Sequence, residues 1–272
     1  MTAAPETTRA PAIVRPFQLI GHTVVAAFRE VGRISVFAAR VLLACITPVI
    51  YVREFLRQCL RIGFYSLPVV GLTAVFIGAA LALNIYVGGS RFNAEQFVPN
   101  IVVLGITREL GPVLAGLMLA GRVSAGIAAE IGAMRVTEQI DALLTLSAKP
   151  ERYLYAPRVL AATLMLPLLV LVADTIGVMG GYLVGVNSLD FNGALYLKNT
   201  WAFVTGNDIW SGVIKAAFFG AIIAIMGCYQ GGRSKGGAGG VGRAATLAVV
   251  GAAVLILASN YILTSIFTSI GL

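Results

Sequence analysis

Five long runs of this chain are almost free of charge, and they decide what it can fold in. Ile62–Ser90 contains no charged residue. Gln96–Gly121 is broken only by Arg108 and Glu109, Val159–Leu189 only by Asp174, Ile209–Gly232 only by Lys215, and Ala244–Leu272 by nothing. A helix needs about 20 apolar residues to cross a bilayer core, so each run can span with some tilt. Membrane strands would instead show segments of about 10 residues with alternating polarity. The expected fold is an all-α integral membrane protein whose five transmembrane helices lie near 62–90, 96–121, 159–189, 209–232 and 244–270. Only 12% of the residues are charged and the mean hydropathy is +0.88. Soluble domains carry about 25% charge, so a cytosolic globular enzyme is excluded. Cys45, Cys59 and Cys228 stand isolated, which indicates neither a disulfide framework nor a zinc site.

The basic residues set the expected orientation. Lys and Arg number eight before the first run, five between the second and third, and three between the fourth and fifth. The remaining two connections hold only Arg91 and Lys198. Positive residues favour the cytoplasmic side, which puts the N-terminus in the cytoplasm and the C-terminus in the periplasm. The net charge of +8 flanks apolar runs instead of clustering with exposed aromatics, so it points to an anionic membrane surface and to no nucleic acid.

Residues 1–61 form a separate N-terminal part. Residues 1–12 read as a polar disordered tail, and no cleavable signal peptide is visible. From Phe17 to Thr47 the sequence is broadly apolar, with His22, Arg29, Arg33 and Arg40 in one stripe at helical spacing. Arg53, Arg57 and Arg61 repeat that device after Pro48. Such helices are expected to lie in the membrane interface, with arginine toward lipid phosphates.

Recognisable chemistry is sparse. Gly237–Gly242 matches G-x-G-x-x-G but follows a membrane helix, and no acidic residue comes after Asp208 to hold a ribose. No P-loop, H-E-x-x-H or G-x-S-x-G occurs, so no catalytic or metal-binding residues are assigned and this chain is not expected to hydrolyse ATP itself. Gly177, Gly181 and Gly185, and likewise Ala120, Ser124 and Ala128, have the spacing that lets helices approach closely.

Charges inside the spans are functional candidates by default. Arg108 and Glu109 divide their run into halves, and Asp174 divides its own. Adjacent helical positions point about 100° apart, so Arg108 and Glu109 should find different partners. Arg108 is expected to pair with Asp174 or to attract a lipid phosphate, and Glu109 to face Lys215 or water. Pro112 removes the hydrogen bond to the Arg108 carbonyl and should bend the helix. Between the second and third runs, Val136, Ile140, Leu143 and Leu144 make an apolar face, while Glu130, Arg135, Glu138 and Asp141 supply polar positions. A short amphipathic helix over about 128–146 would offer those charges to a soluble partner.

The sequence from Ile106 to Leu143, with R-E-L-G-P, A-x-E-I-G-x-M-R and T-E-Q-I-D-A-L, closely resembles the signature of the MlaE/YrbE permease family. The likeness covers nearly the whole chain. It implies the membrane subunit of an Mce-type ABC lipid transporter moving glycerophospholipids between inner and outer membranes. The implied partners are a second copy of the chain, a cytoplasmic ABC ATPase that binds the ATP, a periplasmic hexameric Mce-domain protein and a small STAS-domain protein. The amphipathic connection becomes the coupling helix, with Glu130, Arg135, Glu138 and Asp141 as contacts to the ATPase. Leu81 and Phe92 match positions that line the family's lipid pocket, and Arg108 and Glu109 match a charged pair beneath it. Gly88 and Gly89 stand where the family carries apolar aliphatic residues. Two other classes remain open on the residues alone: an ion-coupled secondary transporter using the intramembrane charges as a relay, and a structural scaffold locked by them.

Overall fold

The structure is a computed structural model that describes residues 15–46, 51–92 and 94–271. The tail 1–12, Pro48 and Leu272 lie outside the described residues. The described residues fall into two separate compact units that divide between Arg40 and Val41.

The helix Arg15–Ile46 begins in the first unit, where Val24, Val25, Phe28 and Val31 are exposed and Arg33 lies 3.5 Å from Glu30. The second unit holds five helices long and apolar enough to cross a membrane: Val52–Gly89, Glu95–Val136, Glu151–Ser188, Gly206–Gly232 and Gly237–Ile270. No strand occurs among the described residues. Several helices run past the apolar runs that announce them. The second extends 15 residues beyond Gly121, because Arg122, Glu130 and Arg135 are good helix formers and nothing in Gly121–Val136 stops the backbone. At 42 residues it is about 63 Å long, far more than a bilayer core requires.

Consecutive spans alternate in direction, so the bundle has two ends. The basic end gathers Val52–Ser66, Val123–Tyr155 and Arg233–Gly237. The opposite end gathers Gly89–Phe97, the loop helix Gly193–Phe203 and the start of the fourth span.

Small residues allow the close packing. Gly78 meets Gly177 backbone to backbone, so that a Cβ on Gly78 would lie 1.8 Å from the Gly177 carbonyl oxygen. Gly220 does the same against Ala162 at 2.4 Å. Lipid is as apolar as leucine, so such contacts, and not water exclusion, hold spans together. The Gly177, Gly181, Gly185 stripe faces the first span, Val102 and Tyr196 in turn, which makes it packing within one chain. Ala120, Ser124 and Ala128 are likewise fully buried.

The amphipathic stretch over 128–146 is divided in two. Its first part is the end of the second span, closed by Val136, and only Gln139–Thr145 forms a separate helix. Glu138 at φ 58° and Ser147 at φ 59° bracket that short helix. A left-handed residue breaks a helix whatever its hydropathy, and glutamate carries no sequence signal for one.

Candidate functional site: a charged cleft where three spans meet

Pro112 shapes the site. Its ring nitrogen cannot donate, so the turn before it relaxes into a π-helix over Ile106–Leu110, with the Gly111 amide bonded to the Ile106 carbonyl. The carbonyl of Arg108 is left without its helical donor. Lys215 of the fourth span supplies one, its Nζ donating to that oxygen at 2.9 Å. The same ammonium lies 2.7 Å from Glu109 Oε1. Lys215 is only 2% exposed, so carboxylate and carbonyl together compensate a cation that would otherwise be costly to bury.

Glu109 is a hub between three spans. Besides Lys215, Thr264 Oγ1 donates to its Oε1 at 2.9 Å and Asn260 Nδ2 to its Oε2 at 2.9 Å, both from the fifth span. Arg108 points elsewhere, as the helical geometry requires. Its Nε lies 3.5 Å from Asp208 Oδ1. Asp208 is the third residue of the fourth span, and its other oxygen accepts from the Thr205 amide at 2.9 Å and the Thr205 hydroxyl at 2.7 Å. Thr205 and Asp208 thus cap the helix in the capping-box manner and fix the carboxylate that receives Arg108.

The pair Arg108 with Asp174 does not form. Asp174 packs against the second span at Gly111, where a Cβ would lie 1.8 Å from Asp174 Oδ1. Among the described residues Asp174 takes part in no ion pair, and its Oδ1 has no hydrogen-bond partner. The helix face explains the discrepancy: Thr107 shares a pocket with Asp174, whereas Arg108, about 100° round the helix, faces the cleft with Asp208 and Lys215. Gly116 lies beside Phe219 and Ile256, midway along the spans, and Arg108 is eight residues, about 12 Å, nearer the less basic end. The second span meets the fourth at Gly212 here, so Arg108 stands level with the second turn of the fourth span and not at mid-depth. Thr205, Asn260 and Thr264, absent from the sequence reading, complete the site. Asp208 was legible only as half of a T-x-x-D capping box.

These groups, Asn260 excepted, line a cleft of about 390 Å³ together with Asn207, Phe267 and Thr268. Arg108 and Glu109 are each about two-fifths exposed there, so both present charge to whatever enters. Leu81 lies on the first span, half-buried, against Gly105, the residue that precedes the π-helix. It packs with Ile85 and Tyr86 on the buried group Ala82, Val98, Val102 and Ile106. The Phe92 side chain lies outside the described ones.

The residues read as ATPase contacts fall into different surroundings at the basic end. Glu130 is engaged within the chain, 2.6 Å from Arg61 and 3.1 Å from Arg158. Arg135 and Asp141 pair across the Thr137–Glu138 break at 2.5 Å. Glu138 is exposed and forms no ion pair among the described residues. Leu144 and Leu146, 55% and 77% exposed, extend the surface beside it.

Comparison with known proteins fits this architecture. Residues 55–266 match the family described as Permease MlaE. A protein of Rickettsia bellii named as a probable ABC transporter permease protein is 54% identical over 248 residues, covering 91% of this chain and 96% of the relative. The chloroplastic protein Trigalactosyldiacylglycerol 1 of Arabidopsis thaliana is 35% identical over 234 residues, 86% of this chain and 67% of the relative. The intermembrane phospholipid transport system permease protein MlaE of Haemophilus influenzae is 32% identical over 268 residues, 95% of this chain and all of the relative. The chain belongs to the MlaE permease family and is a multi-pass permease subunit of an ABC transporter.

Proposed function

We propose that this permease moves glycerophospholipids between the inner and outer membranes, as a homodimer in the inner membrane. The observation that carries the reading is the end-to-end match to the Haemophilus influenzae phospholipid permease. The cleft supports it. A phospholipid needs an apolar wall for its chains and a polar place for its phosphodiester. Arg108 offers a partly exposed guanidinium beside Glu109, and the apolar wall is read from the family positions that Leu81 and Phe92 match, Leu81 packing beside the cleft's π-helix and not lining the cleft itself. ATP is bound and hydrolysed by a separate cytoplasmic subunit, because this chain carries no nucleotide motif. That subunit meets Glu138 and the Arg135–Asp141 pair. Glu130, held between two arginines, stabilises the surface from behind. A hexameric Mce-domain protein receives lipid on the periplasmic face, and a small STAS-domain protein accompanies the ATPase. The N-terminus is cytoplasmic and the C-terminus periplasmic.

Co-expression and purification test the assembly, and reconstitution tests the activity. An ATPase should co-purify, and lipid transfer between labelled vesicles should depend on ATP. Transfer driven by an ion gradient without ATP would favour a secondary transporter, and no transfer at all a scaffold. Cysteines at positions 198 and 235, both exposed and at opposite ends of the bundle, test the orientation in a cysteine-free background. Labelling from the periplasm should reach 198 and not 235, and the reverse pattern overturns the orientation.

A further inference from the structure

At the basic end, the second span faces the last turn of Val52–Ile62 across a cavity of about 260 Å³. Its apolar side is formed by Ile62, Tyr65, Val123 and Ile127, and its polar side by Arg61, Arg122 and Glu130. The charges do not balance. Glu130 is one carboxylate with two arginines on it, Arg61 at 2.6 Å and Arg158 at 3.1 Å. Arg158 is 4% exposed and must keep its counter-charge, whereas Arg61 is 59% exposed and is the surplus cation. Arg122, also exposed, donates to the Tyr65 carbonyl, a neutral acceptor that leaves its charge uncompensated. Among the described residues, three arginines, Arg61, Arg122 and Arg158, thus meet the one carboxylate of Glu130 around this cavity.

Gly126 adds an independent observation. It lies inside the helix Ala125–Val136 and lines the same cavity. Mid-helix glycine costs about 1 kcal/mol relative to alanine and is normally explained by a close neighbour. Here a Cβ would meet nothing within 4 Å. The space in front of Gly126 is left open by the protein.

We propose that this cavity holds the head of one anionic phospholipid, its phosphodiester on Arg61 and Arg122 and the first part of one chain entering beside Tyr65 toward Ile62, Val123 and Ile127. Two clustered guanidiniums suit a phosphate geometrically as well as by charge, and basic pockets between spans are where anionic headgroups are read. An apolar wall beside them fits a lipid and not a free anion. When Arg61 turns to the phosphate, Glu130 keeps the buried Arg158, so binding leaves no charge stranded. The site lies at the opposite end of the bundle from the Arg108 cleft and does not depend on which substrate the cleft carries.

The test uses the full chain in nanodiscs of phosphatidylcholine with or without phosphatidylglycerol, reading retained lipid by native mass spectrometry after gentle delipidation. Wild type should retain phosphatidylglycerol in preference to phosphatidylcholine. Arg61→Gln and Arg122→Gln should each lower that retention about fivefold. Gly126→Leu places its side chain where a Cβ meets nothing within 4 Å, and it should lower retention while the melting temperature in pure phosphatidylcholine stays level or rises. Equal retention of the two lipids, or undiminished phosphatidylglycerol in Gly126→Leu, overturns the proposal. Displacement by millimolar inorganic phosphate would show an anion site and not a lipid site, and would overturn it too.

Discussion

Lys215 Nζ bridges Glu109 Oε1 at 2.7 Å and the Arg108 carbonyl at 2.9 Å, an acceptor that Pro112 deprives of its helical donor. A broken helical hydrogen bond and a buried charge are thus one feature: the proline removes the donor that the lysine replaces. Lys215→Met should therefore strand both a carboxylate and a carbonyl. Breaking such a pair typically costs about 3–5 kcal/mol, and the two-fifths exposure of Glu109 places this case at the lower end. Folded yield and melting temperature of the purified chain should fall. Glu109→Gln leaves the buried Lys215 ammonium without its counter-charge and should lose at least as much stability as Lys215→Met, whose Glu109 keeps Asn260 and Thr264. Equal stability of Lys215→Met and wild type would show that the bridge contributes nothing.

Hydropathy made the five spans and the unusual rank of Arg108, Glu109 and Lys215 legible, because each charge interrupts an otherwise apolar run. Pro112 also announced the disturbed turn before it, which is a π-helix. The partner of Arg108 was not legible. Pairing depends on how far the fourth span is shifted along the second, and uncharged runs carry no register. Asp208 lay just outside its run, so it read as loop. The break at Glu138 was hidden for a different reason. Its backbone is left-handed without glycine or asparagine, so nothing in the residue type marked the end of a helix.

A second prediction concerns Glu130. Arg158 is buried and depends on that carboxylate, while Arg61 reaches it from the surface. Glu130→Gln should strand Arg158 and destabilise the fold by about 3 kcal/mol. Arg61→Gln should change stability by less than about 1 kcal/mol, as exposed ion pairs do. Thermal unfolding of the two variants in one detergent separates these outcomes. Comparable losses in both would contradict the division of roles.

Glycine substitutions probe the packing directly. Gly78→Ala drives a methyl group into the Gly177 carbonyl, backbone against backbone, with no flexible neighbour to yield. The first and third spans must separate, and a loss of about 1–3 kcal/mol is expected, in the range of overpacked cores. Gly121→Ala meets nothing within 4 Å and should be neutral or stabilising through helix propensity. A Gly78→Ala variant as stable as Gly121→Ala would mean that the two spans are not held at this distance.

The last prediction places the coupling surface. Glu138 is exposed, unpaired among the described residues, and held at φ 58° between the end of the second span and the helix Gln139–Thr145. Its position is fixed from both sides, because Arg135 and Asp141 pair across it at 2.5 Å. A charge presented on so constrained a turn suits a contact with a cation of the partner ATPase. Glu138→Lys should then set like charges together across the interface, a penalty of several kcal/mol, and lipid-stimulated ATP turnover should fall at least tenfold. The permease itself should remain folded. Glu138→Gly separates charge from backbone, since glycine adopts this conformation freely and should raise the melting temperature slightly while also losing turnover. Wild-type turnover in Glu138→Lys, measured in a complex whose ATPase still co-purifies, would remove Glu138 from the interface.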